Sequence, residues 1–476
     1  MVLVLGPGDQ PPHPDELLDY MDYRGVAEEI DLKALHSGVV DLGKQLHPSG
    51  KKGRALFLPS NLLTEHCAIF GSTGRGKTAG IIIPWIKALL RQGYSVVTID
   101  IVGNLLDELR NEAHKLGRRF WYWDTVNYCS DSWNWLSEIN PDSRADLDRS
   151  IYSLLGKPFP GQDPFFRERD ERYLRTLIRI AQTIYSYKVK PRDLYRIVAD
   201  PNLLLNLFRQ YPKIQQYAVD IPDLLSSNLG DRNKTISSLF NKLSIFNDSQ
   251  ISQITESNSF LISDIDSQST LLLIKSDFNN SGSEQLTGLM LSQLFSHVNQ
   301  RFNAKTNSIN SSVPLYFAID ESPRLKDKIN YADLLAVARN AKVGICLAAQ
   351  DISNFDTEQN SILTNCNTII SLKGNSPEIA EWLSRKMGQR KQKQTRLSQK
   401  RSWIDDWKDM DRGESLLNIL FHNMSIHPVS VDIVDVPVLG NREIMHLPMG
   451  KYPAVVWNSK ISSKPFLVDL DLSGRT

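Results

Sequence analysis

The sequence predicts an α/β fold with a mostly parallel central sheet, interrupted by an inserted all-α domain. Three observations carry this. Apolar, strand-like runs alternate with helical periods from His66 to Asp124. Between about Pro141 and Asp264 the alternation stops and helical patterns dominate. It then resumes from Thr270 to Leu372. Strand–helix–strand alternation of this kind argues for parallel strands covered on both faces.

The elements follow in order. The segment up to Pro59 is polar and turn-rich. Within it, VVDLGK and RALFLP read as short strands around the turn HPSGKKG. Cys67–Phe70 is an apolar strand, followed by a glycine-rich turn and a helix from about Lys77 to Arg91. Ser95–Asp100 and Phe120–Asp124 are strands on either side of the helix-like stretch Asn104–Lys115. Helices are expected over Ala145–Leu155, Arg169–Tyr187, Leu203–Gln210 and Thr235–Phe246. In the second of these, Tyr173, Leu174, Leu177, Ile178 and Ala181 fall at helical spacing while arginines fill the other face. Thr270–Ile274, Leu315–Ile319, Val343–Ala349 and Thr368–Leu372 read as strands, with helices over Glu284–Phe302 and Tyr331–Asn340. A further helix follows Pro377 and leads into a basic, polar stretch. The tail, VPVLGNREIMHLPMGKYPAVVW and KPFLVDL, looks like short strands at the sheet's edge. The expected division is an N-terminal polar, short-strand segment over 1–60, an α/β domain over 61–140 and 265–476, and an all-α domain over 141–264.

Composition bounds the rest. The chain has 476 residues, with 41% hydrophobic and 23% charged, which is ordinary globular usage. A core of this size needs no disulfide or metal staple. The net charge of +1 neither favours nor excludes nucleic acid, because a local patch would decide that. Cys67, Cys129, Cys346 and Cys366 form no CxxC pair, and three of them lie in apolar, strand-like runs, so buried thiols in a reducing cytoplasm are expected. No uninterrupted apolar run reaches the roughly 18 residues of a membrane span. The best candidate, Ala79–Leu90, is broken by Pro84 and Lys87. A cytoplasmic protein is expected.

The chemistry is concentrated in three places. Residues 71–78 read GSTGRGKT, which fits G-x-x-x-x-G-K-[ST]. Gly71, Ser72, Thr73, Gly74, Arg75 and Gly76 form the loop. Its glycines allow a tight turn whose N–H groups point at phosphate oxygens. The helix that follows offers its positive end to the same anion. Lys77 is expected to reach the β- and γ-phosphates of ATP, and the hydroxyl of Thr78 to ligate Mg²⁺. A plain glycine turn is the competing reading; a strand before and a helix after argue against it.

The second place is LYFAIDES, Leu315–Ser322. An apolar strand delivers Asp320 to hold Mg²⁺ and Glu321 to polarise the attacking water. Without its partner loop this would be an ordinary acidic turn. No NKxD guanine-reading motif follows, so ATP is the expected nucleotide. The third is ARNAKVGICLAAQ, Ala338–Gln350. Gln350, at a strand's carboxyl end, is placed to sense the γ-phosphate or the water. Arg339 is a candidate arginine finger for a neighbouring subunit's site. A loop glutamine and a solvated helix arginine are the competing readings.

Together these residues resemble the coupling-protein branch of the FtsK–HerA superfamily, the motor ATPases of conjugation and type IV secretion. The matching stretches are LTEHCAIFGSTGRGKT, LYFAIDESPRL, LLAVARNAKVGICLAAQDISNF and NCNTIISLKG, with weaker echoes in DPFFRERDERYLRTLI and LPMGKYPAVVW. The resemblance implies a RecA-like P-loop NTPase domain, a homo-hexameric ring with ATP between neighbours, and DNA through the centre. It assigns Lys77, Thr78, Asp320, Glu321, Gln350 and Arg339 the roles given above. It also implies a relaxase or nucleoprotein substrate facing the all-α domain, and a membrane secretion-channel partner that would hold the chain at the inner membrane. Two departures stand out. Many coupling proteins begin with membrane-spanning helices, which this sequence does not show. The family's Asp-Pro-Lys-Gly after the second strand is here Asp100, Ile101, Val102 and Gly103.

DNA contact is expected in RKMGQRKQKQTRLSQKR, residues 385–401, at Arg390, Lys391, Lys393 and Arg396. Such a run neutralises phosphates without reading bases. A solvated, flexible loop is the alternative. The set Arg167, Arg169, Arg172 and Arg175 is interleaved with acids and reads as an ion-paired surface. The function expected is an ATP-driven DNA translocase. The alternatives are a HerA/FtsK-like motor for plasmid segregation, repair or phage defence, and a nucleotide-gated substrate receptor with little hydrolysis.

Overall fold

The computed structural model describes residues 38–46, 52–155, 163–225, 237–303, 312–398, 427–447, 450–460 and 465–470. Its strands are β1 (Val39–Leu46), β2 (Lys52–Pro59), β3 (Cys67–Phe70), β4 (Ser95–Asp100), β5 (Arg119–Asp124), β6 (Thr270–Lys275), β7 (Leu315–Ile319), β8 (Val343–Ala349), β9 (Thr368–Leu372), β10 (Gln389–Ser398), β11 (His427–Pro437), β12 (Pro453–Asn458) and β13 (Phe466–Asp469). Among the described residues, eleven strands form one sheet in the order β2-β1-β13-β12-β9-β3-β8-β7-β4-β6-β5. The run from β9 to β5 is parallel throughout. The β2-β1-β13-β12 run is antiparallel and joins β9 through β12. This is a RecA-like α/β P-loop fold with a helical insertion.

The parallel strands read as continuous apolar runs because both faces are covered. Every residue of β3, β4, β7, β8 and β9 is buried. Each fully buried Val, Leu or Ile contributes roughly 1.5–3 kcal/mol. The covering helices include α1 (Ile83–Arg91) and α2 (Leu106–Lys115). The segment between β5 and β6 contains α3 (Arg144–Leu155), α4 (Pro164–Tyr185), α5 (Pro191–Ala199), α6 (Pro201–Gln210) and α7 (Ser249–Thr255). Asp163 caps α4 by accepting from Phe165 N at 2.9 Å, and Asp200 caps α6 by accepting from Asn202 N at 2.9 Å. In each case proline takes the first helical position, where its missing N–H costs nothing. Returning to the sheet come α8 (Ser281–Asn303), α9 (Tyr331–Asn340), α10 (Gln359–Asn365), α11 (Pro377–Met387) and α12 (Asn441–Met445).

The helical segment is tied to the sheet domain through α3 and α8. Ser296 donates to Asp146 at 2.6 Å and Gln293 to Ser150 at 2.8 Å, both inside the packed interface. Three of the four arginines set out on α4 are ion-paired, with Arg167 to Glu171 at 2.8 Å and Arg169 to Asp170 at 3.2 Å, while Arg172 stands over the Tyr173 ring. Arg175 donates to Asp148 at 2.8 Å. Cys67, Cys346 and Cys366 are buried and Cys129 is exposed.

Three expectations need correction. The tail strands β12 and β13 are interior to the sheet, and the outer position belongs to β2. GNREIM is not strand but the helix α12, because Glu443 reaches back to accept from Gly440 N at 2.6 Å and closes its first turn. The basic stretch is not simply a loop. Gln389–Ser398 forms β10, hydrogen-bonded antiparallel to β11 in a two-stranded ribbon separate from the main sheet.

His66 precedes β3 with its side chain fully buried and its backbone at φ +64°. Its Nε2 donates to Leu335 O at 2.8 Å. Burial holds its pKa down at about 4, against the ordinary 6.5, so the neutral ring is the folded form. Above pH 6.5 this costs nothing, and as pH falls toward about 4 the unfolded chain takes up a proton that the native one refuses. We therefore expect urea-unfolding stability to drop by about 3 kcal/mol over that window through this one residue, and His66→Asn to flatten the pH slope.

Candidate functional site

The site lies at the carboxyl ends of β3, β8 and β7, which are neighbours in that order. Parallel strands bring their carboxyl ends to one rim, where open α/β sheets bind ligands. Phe70 pairs with Ala349, and Gly71 N donates to Ala349 O at 3.2 Å. That bond fixes the start of the loop against the strand end from which Gln350 emerges.

The loop turns at Gly74 (φ +74°) and Gly76 (φ +96°), in the left-handed region that favours glycine. Thr73, Gly74 and Arg75 are exposed at the tip, and a Cβ at Gly74 would meet nothing within 4 Å. The cradle is therefore open to solvent on the side where a phosphate would approach. Lys77 is 5% exposed, and its ammonium donates to Gly71 O at 2.7 Å. A π-helical turn, Thr78–Ile82, leads directly into α1.

Asp320 follows β7 directly and is 6% exposed. The Thr78 hydroxyl donates to its Oδ2, and Glu321 N donates to its Oδ1 at 2.9 Å. Burial pushes its carboxyl above the usual aspartate range, partly offset by those two hydrogen bonds. A hydroxyl and a carboxylate oxygen side by side are a fitting donor pair for a hard, oxygen-seeking cation such as Mg²⁺. Such a cation would also return Asp320 to its charged form. Glu321 sits at φ +48°, ψ +41°, a left-handed conformation that costs a non-glycine residue roughly 1–2 kcal/mol. That turn aims its carboxylate back to 3.8 Å from the Lys77 ammonium. Ser322, next along, donates to Ala348 O at 2.9 Å and pins the turn to β8.

The fold thus gathers Gly71–Thr78, Asp320, Glu321 and the base of Gln350 at one rim. Arg339 is not among them. It lies in the last turn of α9, exposed, before the amino end of β8. β8 has seven residues, so Arg339 and Gln350 are separated by the strand's length, roughly 23 Å. No contact with this chain's own site is available to it. Arg390, Lys391, Lys393 and Arg396 lie on β10, outside the main sheet. At the departure from the family's second-strand pattern, Val102 is exposed. Asp100 accepts from Gly103 N at 2.6 Å and Leu105 N at 2.9 Å. Lys275, from the end of β6, lies beside Gly103 of that turn, with its ammonium 3.9 Å from Asp124.

Residues 27–415 match the family described as Type IV secretory system Conjugative DNA transfer. The chain belongs to this family. No curated protein sequence matches it. Among solved structures it is similar to TrwBdeltaN70, a bacterial conjugative coupling protein, in an unbound form (TM-score 0.58, 17% identity, 91% of this chain and 89% of that one). It is also similar to the plasmid coupling protein TrwB in complex with ADP and Mg²⁺ (TM-score 0.54, 16% identity, 90% of each chain). A third match is TrwB with a non-hydrolysable ATP analogue (TM-score 0.53, 16% identity, 90% of this chain and 89% of that one). At these identities the likeness establishes the fold. Among the described residues, no helix of this family member is long and apolar enough to cross a membrane.

Contacts reached only through the fold include the Ser72 hydroxyl donating to Gly374 O and the Tyr452 ring lying on the loop. Ser72 lies within the phosphate-loop pattern and Tyr452 within the stretch LPMGKYPAVVW, but neither pattern announces these contacts. A sequence signal for the Tyr452 contact is Gly80, a helix glycine that the phosphate-loop pattern does not require.

The raised carboxyl of Asp320 sets a pH dependence. A protonated Asp320 does not ligate a cation, and its protonation begins above the usual aspartate range. Mg²⁺-dependent nucleotide affinity is therefore expected to fall as pH is lowered, starting before ordinary aspartates titrate. Titration calorimetry at stepped pH checks this, and Asp320→Asn should abolish both the Mg²⁺ requirement and its pH dependence.

Proposed function

We propose that this family member is an ATP-hydrolysing DNA translocase of the conjugative coupling type. The observation that supports it most is the convergence of Lys77, Thr78, Asp320 and Glu321 at one rim, with Gln350 on the strand between them. A phosphate loop without a second acidic group would serve binding alone. Here Asp320 stands where Mg²⁺ is held and Glu321 where a water is deprotonated.

In this reading Lys77 and the loop N–H groups hold the β- and γ-phosphates, and Thr78 and Asp320 hold Mg²⁺, which supplies charge neutralisation. Glu321 takes a proton from water attacking the γ-phosphate. Gln350 orients that water. Arg339, remote from its own site, serves a neighbour's site in a homo-hexameric ring. The helices of 141–264 face the substrate, a relaxase–DNA nucleoprotein. Arg390, Lys391, Lys393 and Arg396, on the β10–β11 ribbon, meet DNA phosphates without base specificity. The ring docks on a secretion-channel partner at the inner membrane.

Purified full-length protein is expected to hydrolyse ATP faster with DNA than without, on single- or double-stranded substrates. Lys77→Ala and Glu321→Gln should each lower the rate by on the order of 10²-fold or more. Hydrolysis indifferent to DNA would favour the nucleotide-gated receptor instead.

The role in trans has its own test. Arg339→Ala subunits mixed with Glu321→Gln subunits should recover activity that neither has alone, because some interfaces then pair an intact Glu321 with an intact Arg339. An arginine acting within its own subunit, or one that is merely structural, predicts no such asymmetry between mixed and separate proteins.

A further inference from the structure

Gly76 belongs to the phosphate-loop pattern, but Gly80 does not. Gly80 lies inside the π-helical turn Thr78–Ile82. In a helix a glycine costs about 1 kcal/mol relative to alanine. Some contact must require it, and the contact is the ring of Tyr452. A Cβ on Gly76 would collide with that ring. A Cβ on Gly80 would stand 2.9 Å from Tyr452 Cδ2 and 3.2 Å from Cγ. Gly80 N donates to Gly76 O at 2.7 Å, which brings the two glycines together, and the ring of Tyr452 is seated against both.

The backbone that carries the ring is held by a buried carboxylate. Asp469 is 1% exposed and ends β13. It accepts from Tyr452 N at 2.8 Å and from Lys451 N at 3.3 Å, and it pairs with the Lys52 ammonium at 2.7 Å. Leu470 N donates to Tyr452 O at 3.0 Å. The chain entering β12 is thereby fixed on both sides of the tyrosine. The other flank of the loop rests on the same part of the sheet. Ser72 donates to Gly374 O, Gly374 N to Met445 O at 3.0 Å, and Lys373 N to Pro453 O at 3.1 Å.

We propose that Tyr452 is a positioning residue for the nucleotide site. Its ring braces Gly76 and Gly80, so the N–H groups of the loop and first helical turn are held in the arrangement that receives phosphate. Asp469 fixes the backbone from which the ring projects. Tyr452 acts through the loop, not on the reacting atoms. This deepens the nucleotide reading and rests on it. Pre-set donors bind better because less ordering is left to be done on binding.

The test is a double-mutant cycle on the affinity of full-length protein for a fluorescent N-methylanthraniloyl-ADP with Mg²⁺, with thermal unfolding recorded for each variant. Gly80→Ala should weaken binding on the order of tenfold, because its methyl displaces the ring. Tyr452→Ala should weaken it similarly. In the Tyr452→Ala background, Gly80→Ala should cost nothing further, since the methyl then meets no ring. Equal losses from Gly80→Ala in both backgrounds, or no loss from either single variant, overturn the proposal. Where Gly80→Ala fails to fold, Tyr452→Phe against Tyr452→Ala decides. The phenyl ring should retain the affinity that alanine loses, and an equal loss in both overturns the proposal. A wild type that binds no better than Lys77→Ala removes the nucleotide reading itself, whereas a binding wild type with additive variants removes only the brace.

Discussion

The hydrogen-bond register linking β3, β8 and β7 governs everything at the rim. Phe70 opposes Ala349, and Ile319 opposes Leu347. Those pairings bring three chain segments, far apart in sequence, to their ends within reach of one another. A slip by one residue would exchange the side chains that each strand packs on its two buried faces, and the helices covering those faces would no longer fit. Thr78 and Asp320 meet because β3 and β7 flank β8 and end within two residues of each other along it.

That rim gathers charges which burial makes costly apart. Lys77 and Asp320 are both nearly excluded from water. An isolated buried charge is strongly disfavoured, and each is tolerated through its neighbours. Lys77 is held by a carbonyl of its own loop and by Glu321, and Asp320 by a hydroxyl and a backbone N–H. The left-handed Glu321 is part of this economy. Its strained backbone is over-determined by Ser322, bonded to β8, which keeps the carboxylate aimed at Lys77.

The antiparallel extension packs against the rim and does not merely finish the sheet. β1 and β2 frame β13, whose Asp469 fixes the residues that enter β12. Through Tyr452 and Gly374 this layer reaches both sides of the phosphate loop. The amino-terminal hairpin and the carboxyl-terminal strands therefore form one structural support, although they stand at opposite ends of the described chain.

The sequence by itself determined the parallel strands, the helices that cover them, the phosphate loop and the acidic pair. These are local: an apolar run, a helical period or a glycine spacing is written in consecutive residues. The tail helix Asn441–Met445 escaped, because one capping glutamate outweighed an apolar, strand-like context. The basic stretch escaped as well. β10 exists through its pairing with β11, and polar residues carry no periodicity that announces a strand. Only the tertiary structure decided which strands are neighbours, and hence that Gln350 emerges beside the loop while Arg339 lies at the opposite end of the same strand. It alone placed Tyr452 on Gly76 and Gly80. The reason is physical: strand order and cross-chain packing are set by which surfaces bury one another in three dimensions, and no spacing within a single segment records that choice.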